Sequence, residues 1–266
     1  MYLTRVYLNP YRRGCKFLIS SPQRMHAAVL ASFPPGSIPS SSEGRVLWRI
    51  DRPPKTSRST NESSPAIALY ISSPVAPDPA AIVEQAGYEV NGSVVVKRTD
   101  DFLDSLREGQ LWSFRVTVNP TFRRAGQEDE KGRKKVLAHV TVAQQTQWFL
   151  DRAVPNGFEI PLMSEFGGDV SRTLSADGGL VGSDAPFIGL VERRSERFRR
   201  NHDERVDMVA LQLATFEGKL RVTDPDLLRH ALVNGIGRAK GYGAGLLSLL
   251  EFAPRTRRTF FGSGTA

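Results

Sequence analysis

Asp224-Pro225-Asp226-Leu227-Leu228-Arg229-His230-Ala231-Leu232-Val233-Asn234, then Gly235-Ile236-Gly237-Arg238-Ala239-Lys240-Gly241-Tyr242-Gly243-Ala244-Gly245, then Leu246-Leu247-Ser248-Leu249-Leu250-Glu251-Phe252 is the stretch on which the fold turns. Asp224 ahead of Pro225 is a helix start, and the helix runs through Leu232 with Gly235 as its C′ residue. The glycine-rich loop from Gly235 to Gly245 follows, and Leu246 to Phe252 is an apolar closing strand. Dinucleotide and acyl-CoA pyrophosphate loops enter a helix, whereas this one leaves a helix and enters a strand, so both cofactor classes are set aside. Two uses remain for Gly235, Gly237, Gly241, Gly243 and Gly245. They let backbone N–H groups and the cations Arg238 and Lys240 approach a phosphate backbone, or they only turn the chain.

Upstream of this stretch the pattern reads as a β-α-β-β-α-β unit. Leu111 to Val118 is a strand closed by Asn119-Pro120. A basic loop spans 121–135, and Thr141 to Arg152 is a helix with Val142, Thr146, Phe149 and Leu150 inward. Phe158 to Leu162 is the next strand and Met163 to Pro186 a Gly/Ser/Asp-rich loop. Val206 to Phe216 and Lys219 to Val222 flank Glu217-Gly218 as a hairpin.

The same order occupies the amino-terminal part. Residues 2–8 are a strand, and Ser21-Pro22 starts a helix with Met25, Val29 and Phe33 at helical spacing, stopped by Pro34-Pro35-Gly36. Arg45 to Ile50, alternating Val46, Trp48 and Ile50, pairs as a hairpin with Ala66 to Ile71 across the polar loop Asp51 to Pro65. Asp78-Pro79 opens a helix ending near Gly87, and Val94 to Lys97 is the last strand. The expectation is an α+β protein of two tandem ferredoxin-like (RRM-like) units, 1–98 and 111–253, with a linker at 99–110 and a mobile tail at 254–266.

The 266 residues carry a net charge of +8, which implies a polyanionic partner. No acidic residue precedes Glu43, while Arg5, Arg12, Arg13, Lys16 and Arg24 do. Basic residues cluster again at Arg123, Arg124, Lys131, Arg133, Lys134 and Lys135. The run Arg193 to Arg205 also holds Glu192, Glu196, Asp203 and Glu204 and reads as a balanced solvated face. One cysteine, Cys15, closes no intrachain disulfide. No apolar run of membrane-spanning length occurs, and the first twenty residues lack the apolar core of a signal peptide, so a cytoplasmic protein without membrane contact is expected.

His26 lies about 100° around its helix from Met25, on the flank of the apolar face, inside the acid-free cationic segment. His139, His202 and His230 sit apart, without metal-ligand spacing, so neither a metal centre nor a cofactor is indicated. Asp100, Asp101 and Asp104 read as a helix start.

Together these residues resemble the CasE (Cse) family, the repeat-processing endoribonucleases of the type I-E CRISPR Cascade complex. The features shared with that family are the opening Met1-Tyr2-Leu3, the helix Pro22 to Phe33 with His26, and Asn119-Pro120 before a basic loop. To these add Phe216-Glu217-Gly218 before a strand and, most specifically, Gly235 through Leu249. The resemblance implies a tandem ferredoxin-like fold and metal-free cleavage of precursor RNA at the 3′ base of the repeat stem-loop. Attack by the 2′-hydroxyl would leave a 2′,3′-cyclic phosphate, and the guide RNA would stay bound alongside other Cascade subunits. His26 aligns with the family's catalytic histidine and can act as acid or base near neutrality.

Three residues before that histidine, relatives carry a tyrosine that assists proton transfer; Gln23 stands here and cannot ionise, leaving Arg24, Tyr7, Tyr11 or water as substitutes. The resemblance places Arg123, Arg124, Arg133, Lys134 and Lys135 in the stem's major groove, and Arg24, Arg238 and Lys240 on the RNA as well. The competing reading is a non-catalytic subunit that only holds processed guide RNA.

Overall fold

The computed structural model describes residues 1–38, 44–53, 67–128, 132, 134–166, 185–202 and 205–251. A first antiparallel sheet contains β1 (Tyr2–Leu8), β2 (Leu47–Asp51), β3 (Ile67–Ser73) and β4 (Val94–Arg98), in the order β2-β3-β1-β4. Thr4, Val6 and Leu8 point into a core, as period-two alternation requires, and helices cover that face. Two of these helices are α2 (Pro22–Leu30) and α3 (Ala80–Ala86). Ser21 makes no side-chain capping bond, so Pro22 at the first helical position, with its fixed φ, is the start signal. Met25 and Val29 are buried, and Phe33 is buried just past the helix end.

A further helix, α1 (Arg13–Ile19), has no counterpart in the sequence reading. It lacks a capping side chain and contains Gly14, which weakens the local signal. Gly14 is there for contact: a β-carbon would stand 2.1 Å from the carbonyl oxygen of Gln85 on α3. Strand β2 departs from the expected alternation, because Leu47, Trp48, Arg49 and Ile50 are all buried. Its second face is covered by the other half of the molecule.

That half follows α4 (Asp100–Asp104) and contains β5 (Leu111–Val118), β8 (Phe158–Glu159), β9 (Ile188–His202), β10 (Arg205–Val222) and β11 (Leu247–Glu251). The sheet order is β11-β5-β10-β8, with β9 also paired to β10. With β11, β5, β10 and β8 in place of β4, β1, β3 and β2, the order of the first sheet is repeated. Helices α5 (Val142–Leu150) and α6 (Pro225–Asn234) belong to this half. Phe149 stacks on Phe114 and Phe216 with ring centroids 5.5 and 5.3 Å apart, each contact contributing about 0.5–1.5 kcal/mol beyond area burial. Leu106, in the expected linker, joins this core.

Three expectations are corrected here. The basic segment 121–135 is a β-hairpin arm, β6 (Thr121–Glu128) with β7 (Lys134–Ala138), and not an irregular loop. Glu217-Gly218 lies inside the continuous strand β10; a β-carbon at Gly218 would meet the Phe187 carbonyl oxygen at 2.2 Å, so this glycine marks close strand approach and not a turn. On α5 the buried residues are Gln145, Trp148 and Phe149; of the four expected inward, Val142, Thr146 and Leu150 are only partly buried. The tail 254–266 lies outside the described residues. No helix among the described residues is long and apolar enough to cross a membrane.

Arg49 joins the halves. Its guanidinium, 2% exposed, donates to both Asp51 carboxylate oxygens (2.7 and 3.0 Å). From Nη1 it also donates to the carbonyls of Arg115 (2.9 Å) and Leu246 (3.0 Å) on the other side. Arg115 pairs with Asp51 at 3.2 Å and with Glu217.

Candidate functional site

The glycine-rich loop is pinned at its neck, where the Ile236 N–H donates to the Gly245 carbonyl (2.9 Å) and the Gly245 N–H to Thr117 (2.7 Å). Within it, Ala239 takes a left-handed conformation (φ 65°) and a short 3-10 turn covers Lys240–Tyr242. A tryptophan from each half grips the loop. A β-carbon at Gly237 would lie 2.8 Å from the Trp148 ring, and one at Gly243 would lie 2.7 Å from Trp48. The Trp48 indole N–H donates to the Gly241 carbonyl at 3.3 Å. These glycines therefore serve close packing of the loop against both cores.

Against the held loop stands His26. A β-carbon at Gly241 would lie 3.4 Å from His26 Nε2, and the Tyr242 ring is edge-on at 6.3 Å. His26 is half-buried on the flank of α2, where helical spacing put it. Its Nδ1 is buried with no hydrogen-bond partner among the described residues. Burial holds its pKa below the ordinary 6.5, because desolvation penalises the imidazolium. That shift favours the neutral ring, the form able to accept a proton.

An open groove of about 730 Å³ lies beside this point, between α2 and β9, lined among others by Gln23, Arg24, Ala27, Phe198 and Arg199. Arg24 is exposed but oriented: it donates to Ser20 Oγ at 2.8 Å and stacks 4.2 Å over Phe17. Rings continue from the groove wall to the histidine, with Phe198 4.9 Å from Tyr242. Tyr7 stands against Arg5 on the sheet face opposite the helices, so it does not take the place of the family tyrosine.

Arg199 is absent from the sequence reading, which took its run as balanced. The signal was the strand period. Even positions Glu192, Arg194 and Glu196 pair among themselves at 3.2 and 3.5 Å, while Arg193, Arg197 and Arg199 share the exposed, acid-free side of β9.

The other basic residues divide. Arg123, exposed on β6, and Arg238 meet at a second cleft on the far side of the loop. Lys135 is exposed on β7. Arg124 and Lys134 lie on the same arm; their side chains, and Arg133 entirely, lie outside what the structure describes. Lys240 is half-buried in the loop, and desolvation with Arg45 nearby lowers its pKa. Among the described residues no group of three or more His, Cys, Asp or Glu is placed to hold a metal ion.

Comparison with known proteins follows the same outline. The chain matches the family of CRISPR associated proteins over residues 1–250. It is 26% identical over 257 residues to the CRISPR-associated endoribonuclease Cse3 of Thermus thermophilus, covering 94% of this chain and 99% of that one. The fold is that of Thermus thermophilus Cse3 bound to an RNA representing a pre-cleavage complex, with a TM-score of 0.66 and 24% identity over 94% of this chain and 98% of the other. It is also that of Cas6e from Escherichia coli K-12, with a TM-score of 0.52 and 19% identity over 95% of this chain and 100% of the other.

Proposed function

Because the chain belongs to the CRISPR-associated protein family, we infer that it is an endoribonuclease cutting precursor CRISPR RNA at the 3′ base of the repeat stem-loop, with its guide-RNA product kept in Cascade. The observation that carries this reading is a half-buried imidazole, His26, packed against a glycine-rich loop beside an arginine-lined groove. The names of its relatives agree: one is an endoribonuclease, and others are bound to RNA or are CRISPR RNA-guided surveillance complexes.

In this mechanism His26 accepts the proton of the 2′-hydroxyl; the O2′–P bond forms, the P–O5′ bond breaks, and a 2′,3′-cyclic phosphate remains. The 5′-oxygen takes its proton from water or from the imidazolium just formed. Arg24 and Arg199 neutralise charge gathering at phosphorus, and Gln23, which lines the same groove, orients the phosphate by hydrogen bonds. No metal is assigned a step.

The basic arm with Arg123, Arg124, Arg133, Lys134 and Lys135 enters the stem's major groove, and Arg238 adds a phosphate contact. The two sheets of identical order support reading the chain as ferredoxin-like domains 1–98 and 111–253 joined at 99–110, acting in the cytoplasm where the transcript is made. The test is His26→Ala with repeat RNA in chelator: cleavage is lost, stem-loop binding is kept, and the wild-type product ends in a cyclic phosphate. Wild-type protein that binds the repeat without cutting it would instead establish a guide-RNA holder.

A further inference from the structure

On the side of the glycine-rich loop away from His26 lies a cleft of about 440 Å³, within the ~300–1,000 Å³ of small-ligand sites. Its floor is Trp148, buried, with its indole N–H given to the Thr121 carbonyl at 2.9 Å. The Arg152 guanidinium lies 3.7 Å above that ring and is anchored by a 3.0 Å bond to the Trp148 carbonyl. Gly237 keeps the floor open, since a β-carbon there would run into Trp148.

At the base of the arm, Phe122 and His139 face each other with centroids 4.7 Å apart, and Phe122 remains 38% exposed. His139 Nδ1 is buried and without a partner among the described residues. Asp151, which accepts from Gln147 Nε2 at 2.7 Å, has acceptor capacity left at the cleft, and Arg123 and Arg238 add two cations.

A part-exposed aromatic ring, flat guanidinium, carboxylate acceptor and flanking cations are the complement of one splayed-out nucleotide: a base to stack, an amino group to accept from and a phosphate to neutralise. We propose that this cleft is a subsite for an unpaired RNA nucleotide flanking the repeat stem, separate from the scissile position. Adenine, guanine and cytosine offer Asp151 an exocyclic amino group and uracil does not, so the subsite disfavours uridine. The proposal rests on the reading of the chain as a repeat-RNA endoribonuclease and specifies a further contact of that substrate.

The experiment compares equilibrium binding of the full chain to the repeat stem-loop with single-stranded flanks and to the bare stem-loop. Flanks are expected to tighten binding by about tenfold, the scale of one base–aromatic stack. Phe122→Ala should collapse that ratio, Phe122→Trp should preserve it, and all-uridine flanks should reduce it in the wild type. Equal affinity of the wild type for both RNAs, or an unchanged ratio in Phe122→Ala, overturns the subsite while leaving the endoribonuclease reading intact. Failure to bind either RNA overturns that reading instead. Adenosine monophosphate is the remaining arm: binding abolished by Phe122→Ala, with no effect of flanks, would mark a free-nucleotide site and overturn the proposal.

Discussion

Gly241 faces the imidazole of His26 so closely that the first carbon of any side chain at that position would come into van der Waals contact with Nε2, 3.4 Å away. Gly241→Ala is therefore expected to fold, since its φ is not in the left-handed region, but to crowd the nitrogen nearest the loop. Single-turnover cleavage should slow by about one to two orders of magnitude with RNA affinity little changed, a loss confined to the transition state. An equal loss of affinity would place Gly241 on the RNA instead.

Burial lowers the His26 pKa, so the ring loses its proton below the ordinary 6.5. Acting as base, it is active when neutral: cleavage rises with pH through a midpoint below 6.5 and then flattens. A rate profile from pH 4.5 to 8.5 checks the sign, and a rate that falls across the same midpoint would assign His26 to the leaving group.

Removing Arg49 strips a donor from two carbonyls and, among the described residues, leaves Asp51 with Arg115 as its cationic partner. Arg49→Ala should cost roughly 3–5 kcal/mol, as for breaking a buried pair from one side. Urea denaturation reads that loss. A change below ~1 kcal/mol would mean that the guanidinium is dispensable to the joint between the halves.

Arg199 and Lys135 are exposed cations on different strands. If each meets a phosphate, replacing either with alanine should weaken RNA binding and reduce the log–log salt slope by about one unit. Titrations across a salt series decide this, and an unaltered slope removes that residue from the interface.

What was legible in the sequence was local. Asp224-Pro225 and Pro22 mark helix starts because their chemistry is confined to a single turn, and Asn119-Pro120 marks the end of β5. The place of His26 also followed from the 3.6-residue period alone. The errors were of longer range. Glu217-Gly218 has the composition of a turn, but the Phe187 carbonyl lies against Gly218 inside a strand, and the alternation of β2 fails because the second half of the molecule covers Arg49. Arg199 lies in a run whose charge balances along the chain and separates only between the two sides of a strand. Phe122 and His139, seventeen residues apart in sequence, meet only because the basic segment pairs as β6 and β7.

The twin indoles gripping one loop, Trp48 from a strand of the first half and Trp148 from helix α5 of the second, make the surroundings of His26 a property of a seam. A backbone cut between Arg98 and Leu111 would separate His26 from the surface that shapes it, although each fragment would retain most of its own hydrophobic cluster. Neither severed fragment should cleave alone, and mixing them should restore turnover only to the degree that they dock.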